Sequence, residues 1–215
     1  SSAYGNILAV KEGNENSDAI KALVAALESQ EVADFINTEY KGAVVSTVDN
    51  PGTGFDDSVD YDALAGATIS VAASPAPHAE ILNSVKEALA AEGIDLQVVE
   101  YTDYIMPNTA VDAGEMDANY FQHQPYLTNF NAENGTDLVS VVSVHFEPLG
   151  IYPGKTATLE ELADGATIVV PNDPTNEGRA LNLLAANGII TLSEDAGLEA
   201  TVNDIVENPK NVQIT

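Results

Sequence analysis

Two stretches of this chain open a strand in the same way, Leu64-Ala65-Gly66-Ala67-Thr68-Ile69 and Leu162-Ala163-Asp164-Gly165-Ala166-Thr167-Ile168. In the first, Ala67–Ala73 is small and β-branched, Ala79–Glu92 has helical periodicity, Gly93 stands where a helix-ending glycine belongs, and Asp95–Tyr101 reads as a second strand. In the second, Ala166–Pro171 reads as a strand and Asn176–Asn187 as a helix stopped by Gly188. Strand, helix and strand make a parallel βαβ unit. Two related units in 215 residues predict an α/β protein with two lobes of one architecture.

Upstream of these units, alternating apolar residues in Asn6–Val10 predict a strand and Gly13-Asn14-Glu15-Asn16 a turn. Ser17 is placed to cap a helix with Ile20, Leu23, Val24 and Leu27 on one face. A second helix over Glu31–Tyr40 turns Val32, Phe35 and Ile36 inward and stops at Gly42. From Asp49 to Gly66 the composition changes. Asn50-Pro51-Gly52-Thr53-Gly54, followed by Asp56, Asp57, Asp60 and Asp62, offers turn formers and repelling charge but little to bury, which reads as a linker. Seven basic residues against 34 acidic ones give a net charge of −27. That field repels nucleic acid and anionic headgroups, so neither is an expected partner. With no cysteine, disulfides, thiolate metal sites and cysteine nucleophiles are excluded. No apolar run approaches the roughly 18 residues of a membrane-spanning helix. The first residues have neither the basic nor the apolar region of an export signal, so any such segment of the natural protein would lie outside this sequence.

In open α/β sheets ligands sit where strand ends lead into helix N-termini. Here those loops are Ser74-Pro75-Ala76-Pro77-His78 and the run Asn172-Asp173-Pro174-Thr175-Asn176-Glu177-Gly178-Arg179. Arg179 is the chain's one arginine. A guanidinium grips a carboxylate through two parallel hydrogen bonds, and a place in the first turn of a helix adds free N–H groups and the helix dipole. An exposed arginine paired with one of the many acids is the plainer alternative. The stretch Asp117–Leu127 is dense in aromatic and amide groups and, with Tyr104, would make an apolar slot with a few directed polar groups. Ordinary core packing of Tyr120, Phe121 and Tyr126 competes with that reading. His78, His123 and His145 are too far apart in sequence for a compact metal motif, and no metal or cofactor is expected. A hydrolase elbow, a phosphate loop and a dinucleotide fingerprint are all missing, so the chain is not read as an enzyme.

Several of these strings together resemble the methionine-binding lipoproteins of bacterial ABC importers, the NlpA lipoprotein family. They are Ala73-Ser74-Pro75 with Pro77-His78-Ala79-Glu80-Ile81-Leu82, Tyr101-Thr102-Asp103-Tyr104 with Pro107-Asn108, Asp117-Ala118-Asn119-Tyr120-Phe121-Gln122-His123, Gly135-Thr136-Asp137-Leu138, Glu147-Pro148, the Asn172–Arg179 run, and Val206-Glu207-Asn208-Pro209-Lys210-Asn211. Residues 1–46 resemble the family's C-terminal end, here placed before its beginning. Either a circular permutant or a fragment of two tandem copies accounts for that order. The resemblance implies a type II periplasmic-binding-protein-like fold, with residues 1–48 and 67–146 forming the first lobe, 49–66 an acidic linker, and 147–215 an incomplete second lobe. It further implies closure of the lobes on free methionine and delivery to an ABC permease, with Tyr104, Phe121 and His123 around the ligand side chain and Asn176 and Arg179 on its carboxylate. The natural precursor would be a lipoprotein anchored at the extracellular face of the membrane. Exchange of segments between two chains would supply the missing elements. Another amino acid or a short peptide as ligand, or a pocket too incomplete to bind alone, are the remaining readings.

Overall fold

The computed structural model describes residues 2–215, which divide into a unit ending at Pro148 and a second unit, Leu149–Thr215. In the first, strand β1 (Asn6–Lys11) is buried along all but its last residue. Ile7, Leu8, Ala9 and Val10 are 0–3% exposed, because this strand has a packed layer on both faces. On one side Leu8 and Val10 join a cluster with Ile20, Leu23, Leu27, Ile36, Ile81, Leu82 and Leu89. On the other, Ile7 and Ala9 meet Val111 and Leu127.

Ser17 caps helix α1 (Asp18–Leu27), its Oγ accepting from the Ile20 N–H at 3.3 Å, as its position predicts. Ser29 does the same for α2 (Gln30–Tyr40), accepting from Val32 at 3.2 Å. Both helices bury most of their apolar stripe, with Val24 and Phe35 only partly covered. The chain then passes through the short strand β2 (Val45–Ser46) into the acidic segment 49–66.

That segment carries more local structure than its composition suggests. The Gln30 N–H donates to the Gly52 carbonyl at 3.0 Å, and the Gly52 N–H donates to the Glu28 carbonyl at 2.9 Å. Val59 is buried within the main cluster, and Tyr61 packs beside it. Two of the acids work as local acceptors. Asp56 receives the Ser58 N–H and hydroxyl, and Asp60 caps the single-turn helix α3 (Tyr61–Leu64).

The predicted βαβ unit forms, with strand β3 (Thr68–Ala73) parallel to β4 (Asp95–Glu100). Its helix is not continuous. After the Pro75–Ala79 turn, with its cis Ala76–Pro77 bond, come α4 (Glu80–Ser84) and α5 (Lys86–Ala91), interrupted at Val85. The Ser84 hydroxyl donates to the Ile81 carbonyl at 2.6 Å, the kind of back-bonding that bends a helix. Gly93 has the left-handed conformation, φ 78°, expected of the residue after a helix end. Helix α6 (Met106–Asp112), strand β5 (Ala118–His123), helix α7 (Gln124–Asn134) and the long strand β6 (Leu138–Phe146) complete the unit. The sheet order is β2-β6-β1-β5-β3-β4, with β1 antiparallel to both its neighbours and β3 parallel to β4 and β5.

In the second unit the strand expected over 166–171 pairs only as β7 (Thr167–Ile168), and Val169 is 79% exposed. Helix α8 (Pro174–Ala186) follows, but it does not lead to a parallel strand. It leads to β8 (Thr191–Leu192), which pairs antiparallel with β9 (Ile205–Glu207). The parallel partner of β7 is β10 (Gln213–Ile214), farther along the chain. Leu181, Leu184, Ile189, Ile190, Ala200 and Val212 form the core of this unit.

Gly178 explains how α8 fits there. A Cβ at this position would lie 2.3 Å from the Leu198 carbonyl oxygen and 2.9 Å from the Ala200 nitrogen. Helix propensity alone favours alanine over glycine by about 1 kcal/mol. The backbone contact reverses that sign, and Gly178→Ala is expected to destabilise the second unit by about 1–3 kcal/mol. Urea denaturation of the variant followed by hydrogen exchange on α8 reads this directly, and an unchanged or higher midpoint would refute the close-contact account.

Candidate functional site

Three aromatic rings from different elements converge in the first unit. Tyr104 and Phe121 have ring centroids 5.9 Å apart, Tyr104 and Tyr126 5.8 Å, and Phe121 and Tyr126 5.8 Å, all tilted or edge-to-face. Phe130 stacks behind Tyr126 at 6.4 Å. Phe121 is buried, whereas Tyr104 is 49% exposed and is followed by the exposed Ile105 and Met106. The wall therefore has a closed back and an open lip. Aromatic faces and edges at this spacing suit a flexible apolar or thioether group.

The lip is fixed by polar contacts. The Asp103 carboxylate accepts the Ile105 and Met106 N–H groups at 2.8 and 2.7 Å. These backbone bonds, the Met106 one foremost, hold the carboxyl below the usual carboxylate range. The Tyr126 hydroxyl donates to the Tyr104 carbonyl at 2.6 Å. Tyr126 and Asp103 thus shape the candidate wall; Tyr126 lies in the Asp117–Leu127 stretch that reads as an apolar slot, whereas no local chemistry in the sequence singles out Asp103. The aromatic density of the stretch was the available signal for Tyr126.

Phe121 owes its direction to an irregularity. On β1, Ile7 pairs with Gln122 and Leu8 with Tyr120, so Phe121 is the extra residue of a β-bulge. Bulges re-aim side chains, and this one interrupts the alternation of β5 at Phe121. His123 ends the strand and caps α7, its Nδ1 accepting the Tyr126 N–H at 3.1 Å. In the neutral ring the proton is then on Nε2. Tyr4 meets the His123 ring edge-on at 5.2 Å, a contact from the far end of the chain with no local sequence signal.

Asn176 and Arg179 lie in the second unit, three residues apart on α8 and so on neighbouring positions of one helix face. Asp173 is the N-cap, accepting from the Asn176 N–H at 2.9 Å and the Thr175 hydroxyl at 3.0 Å. The Asn176 amide nitrogen also faces this carboxylate, at 3.0 and 3.1 Å. Because Pro174 starts the helix, Arg179 is its sixth residue and sits in the second turn. The expectation of a first-turn position is corrected accordingly. The influence of the N-terminal N–H groups fades after the first turn, so this position lies largely beyond it.

A separate buried cluster joins two of the histidines. His78 and His145 pack with ring centroids 4.9 Å apart, and the Tyr120 ring lies against both. The His145 Nε2–H donates to Glu147 Oε1 at 2.8 Å, and the Tyr120 hydroxyl donates to its Nδ1. His78 Nε2 lies 2.8 Å from Asn6 Oδ1 and 3.5 Å from Glu147 Oε1. His78, His145 and Glu147 offer ligand atoms within 4.8 Å of one another, close enough to hold a metal ion. Coordination would use both Nε2 lone pairs and move each ring proton to Nδ1. The Tyr120 hydroxyl would lose its acceptor, and His78 Nδ1–H would face no partner among the described residues. Hydrogen bonding within the cluster therefore works against an ion there. Burial, reinforced by repulsion from His145 and opposed by Glu147, pushes His78 down to about 3, so its approach to Glu147 is not an ion pair near neutral pH.

The NlpA lipoprotein family matches residues 1–48 and 69–215. The chain is 47% identical over 122 residues to the D-methionine-binding lipoprotein MetQ of Escherichia coli strain K12, covering 57% of this chain and 45% of that protein. The chain spans about half the length of the curated relatives it matches. Among solved structures, a lipoprotein from Ruminococcus gnavus superposes with a TM-score of 0.68 at 59% identity, covering 69% of this chain and 61% of that one. A nutrient-binding protein from Burkholderia cenocepacia bound to methionine superposes with a TM-score of 0.63 at 42% identity, covering 68% and 63%.

A histidine whose folded pKa is depressed binds fewer protons folded than unfolded, so its contribution to stability is present above about pH 6.5 and is lost as pH falls towards about 3. Between those values the loss approaches about 1.4 kcal/mol per pH unit. Urea midpoints from pH 7 to pH 4 are expected to fall less steeply for His78→Gln than for the parent, and parallel slopes would refute the assignment. Asp103→Ala is expected to cost about 1 kcal/mol through the two lost backbone bonds and to raise hydrogen exchange at Ile105 and Met106. Unchanged exchange at those amides would show that the lip is held by other contacts.

Proposed function

The chain belongs to the NlpA lipoprotein family, and on that premise we propose that it serves as methionine-binding sequence of a solute-binding protein that supplies an ABC importer. The observation that carries this reading is the ring wall of Tyr104, Phe121 and Tyr126, an apolar slot with polarisable faces matched to a thioether. His123 contributes a polar edge beside it. Asn176 and the sole arginine, Arg179, supply the amide and guanidinium suited to the ligand carboxylate. Binding here is recognition, and no bond is made or broken. The parent protein is lipid-anchored outside the cell membrane in this reading, where the −27 charge keeps the surface solvated. No described helix is long and apolar enough to cross a membrane.

Calorimetry with L-methionine, D-methionine and a panel of other amino acids tests the proposal. Heat with methionine, and weaker heat with amino acids lacking a thioether-sized side chain, is the expected result. No heat with any of them would sink the binding reading for this chain. Arg179→Ala is expected to weaken binding about 30- to 1000-fold, since a charge-assisted bidentate contact to a desolvated carboxylate is worth about 2–4 kcal/mol. An affinity within about twofold of the parent would place the carboxylate elsewhere.

A further inference from the structure

Three amide side chains of α6 and β5 are sealed from solvent. Asn108 and Asn119 are 0% exposed and Gln122 is 4%. Asn108 and Gln122 exchange two bonds, Nδ2 to Oε1 and Nε2 to Oδ1, both at 2.8 Å. Asn119 Nδ2 donates to Asn108 Oδ1 at 2.9 Å and to the Pro107 carbonyl at 3.0 Å, and Gln122 Nε2 donates to Asn119 Oδ1 at 3.1 Å. Every carboxamide oxygen in the group accepts at least one bond, and every carboxamide nitrogen donates.

If this volume only needed filling, apolar side chains of the same size would fill it without the cost of burying amides. What amides add is direction, since a fully satisfied buried network fixes one geometry. The ring ties together the two parts of the chain that carry the wall. Asn108 and the Pro107 carbonyl belong to α6, which begins two residues after Tyr104, where Asp103 accepts the Ile105 and Met106 N–H groups. Asn119 and Gln122 flank the bulged Phe121, and the bond between them spans the bulge. A bulge is a local disruption that other contacts must pin.

We infer that Asn108, Asn119 and Gln122 form a positioning network that sets the distance between Tyr104 and Phe121, and through it the size of side chain the wall accepts. In its ligand selectivity this rests on the methionine reading, whereas the ring geometry stands apart from it. The network is closed off from solvent and acts through the bulge and the first turn of α6.

The test compares Gln122→Met and Asn119→Leu, each close in size to the residue replaced, with Val71→Ala, a core truncation in β3 that lowers stability without touching the network. In the ligand-free proteins, aromatic NMR with labelled Phe and Tyr is expected to show loss of the Tyr104–Phe121 ring contact and shifted ring signals in both network variants. Val71→Ala should retain both. Titrations then compare methionine with ethionine, one methylene longer, which a slot of fixed width rejects by about tenfold or more. That preference is expected to shrink at least about threefold in Gln122→Met. Parent-like ring contacts in a folded network variant, equal ring changes in Val71→Ala, or loss of folding in both network variants would each overturn the proposal. A parent that binds no amino acid would overturn the methionine reading instead, and the ligand-free ring measurement would still decide the positioning role.

Discussion

In the first unit a strand with no solvent face must be threaded between two others. β1 is antiparallel to both β5 and β6, and it gives Leu8 and Val10 to one apolar layer and Ile7 and Ala9 to the other. Burial of Ile7, Leu8 and Val10 is worth about 1.5–3 kcal/mol each, so this one strand anchors both layers. The elements of the aromatic wall hang from it. β5 is its direct neighbour, the bulge at Phe121 arises in the pairing between them, and α6 and α7 pack on the face that Ile7 and Ala9 supply. Asn6, the strand's first residue, also reaches His78 in the histidine pair.

The charge imbalance is handled locally rather than by pairing. Seven basic groups cannot neutralise 34 acidic ones. The Lys11–Asp112 contact, at 3.9 Å between side chains that are 49% and 40% exposed, contributes little. The acids are put to use where backbone N–H groups lack partners. Asp60, Asp103, Asp173 and Asp204 each accept such groups at the start of a turn or helix. A strongly acidic chain thereby converts several of its charges into local conformational instructions.

What the sequence made legible was local. Ser17 as a cap, Gly93 as a helix stop, the βαβ unit that holds β3 and β4, and the α/β class all follow from neighbours along the chain, and the structure has them. The resemblance, carried by strings such as Asp117–His123 and Asn172–Arg179, named the family that the comparisons show. Features set by distant contacts were not legible. The break at Val85 interrupts a sound helical period. The bulge at Phe121 exists only in relation to β1, and the meeting of His78 with His145 depends on how the sheet is ordered. Arg179 was displaced by part of a turn because Pro174 and Asp173 start the helix earlier than its apolar period does. The amides of Asn108, Asn119 and Gln122 were visible as polar letters, but their closure into one network needs α6 and β5 side by side.

Gly178 bears on more than stability. By letting the backbone of residues 198–200 press against α8, it marks a single side of that helix as the one that can face inward. A rod held only by apolar side chains can roll a little about its long axis, because neighbouring knobs are interchangeable. A rod with one bare notch cannot, since every other azimuth presents a side chain to the same backbone. The heading of Arg179, the very next residue, is thus keyed within its own unit by an absence of atoms, much as a flat on a shaft orients the wheel it carries.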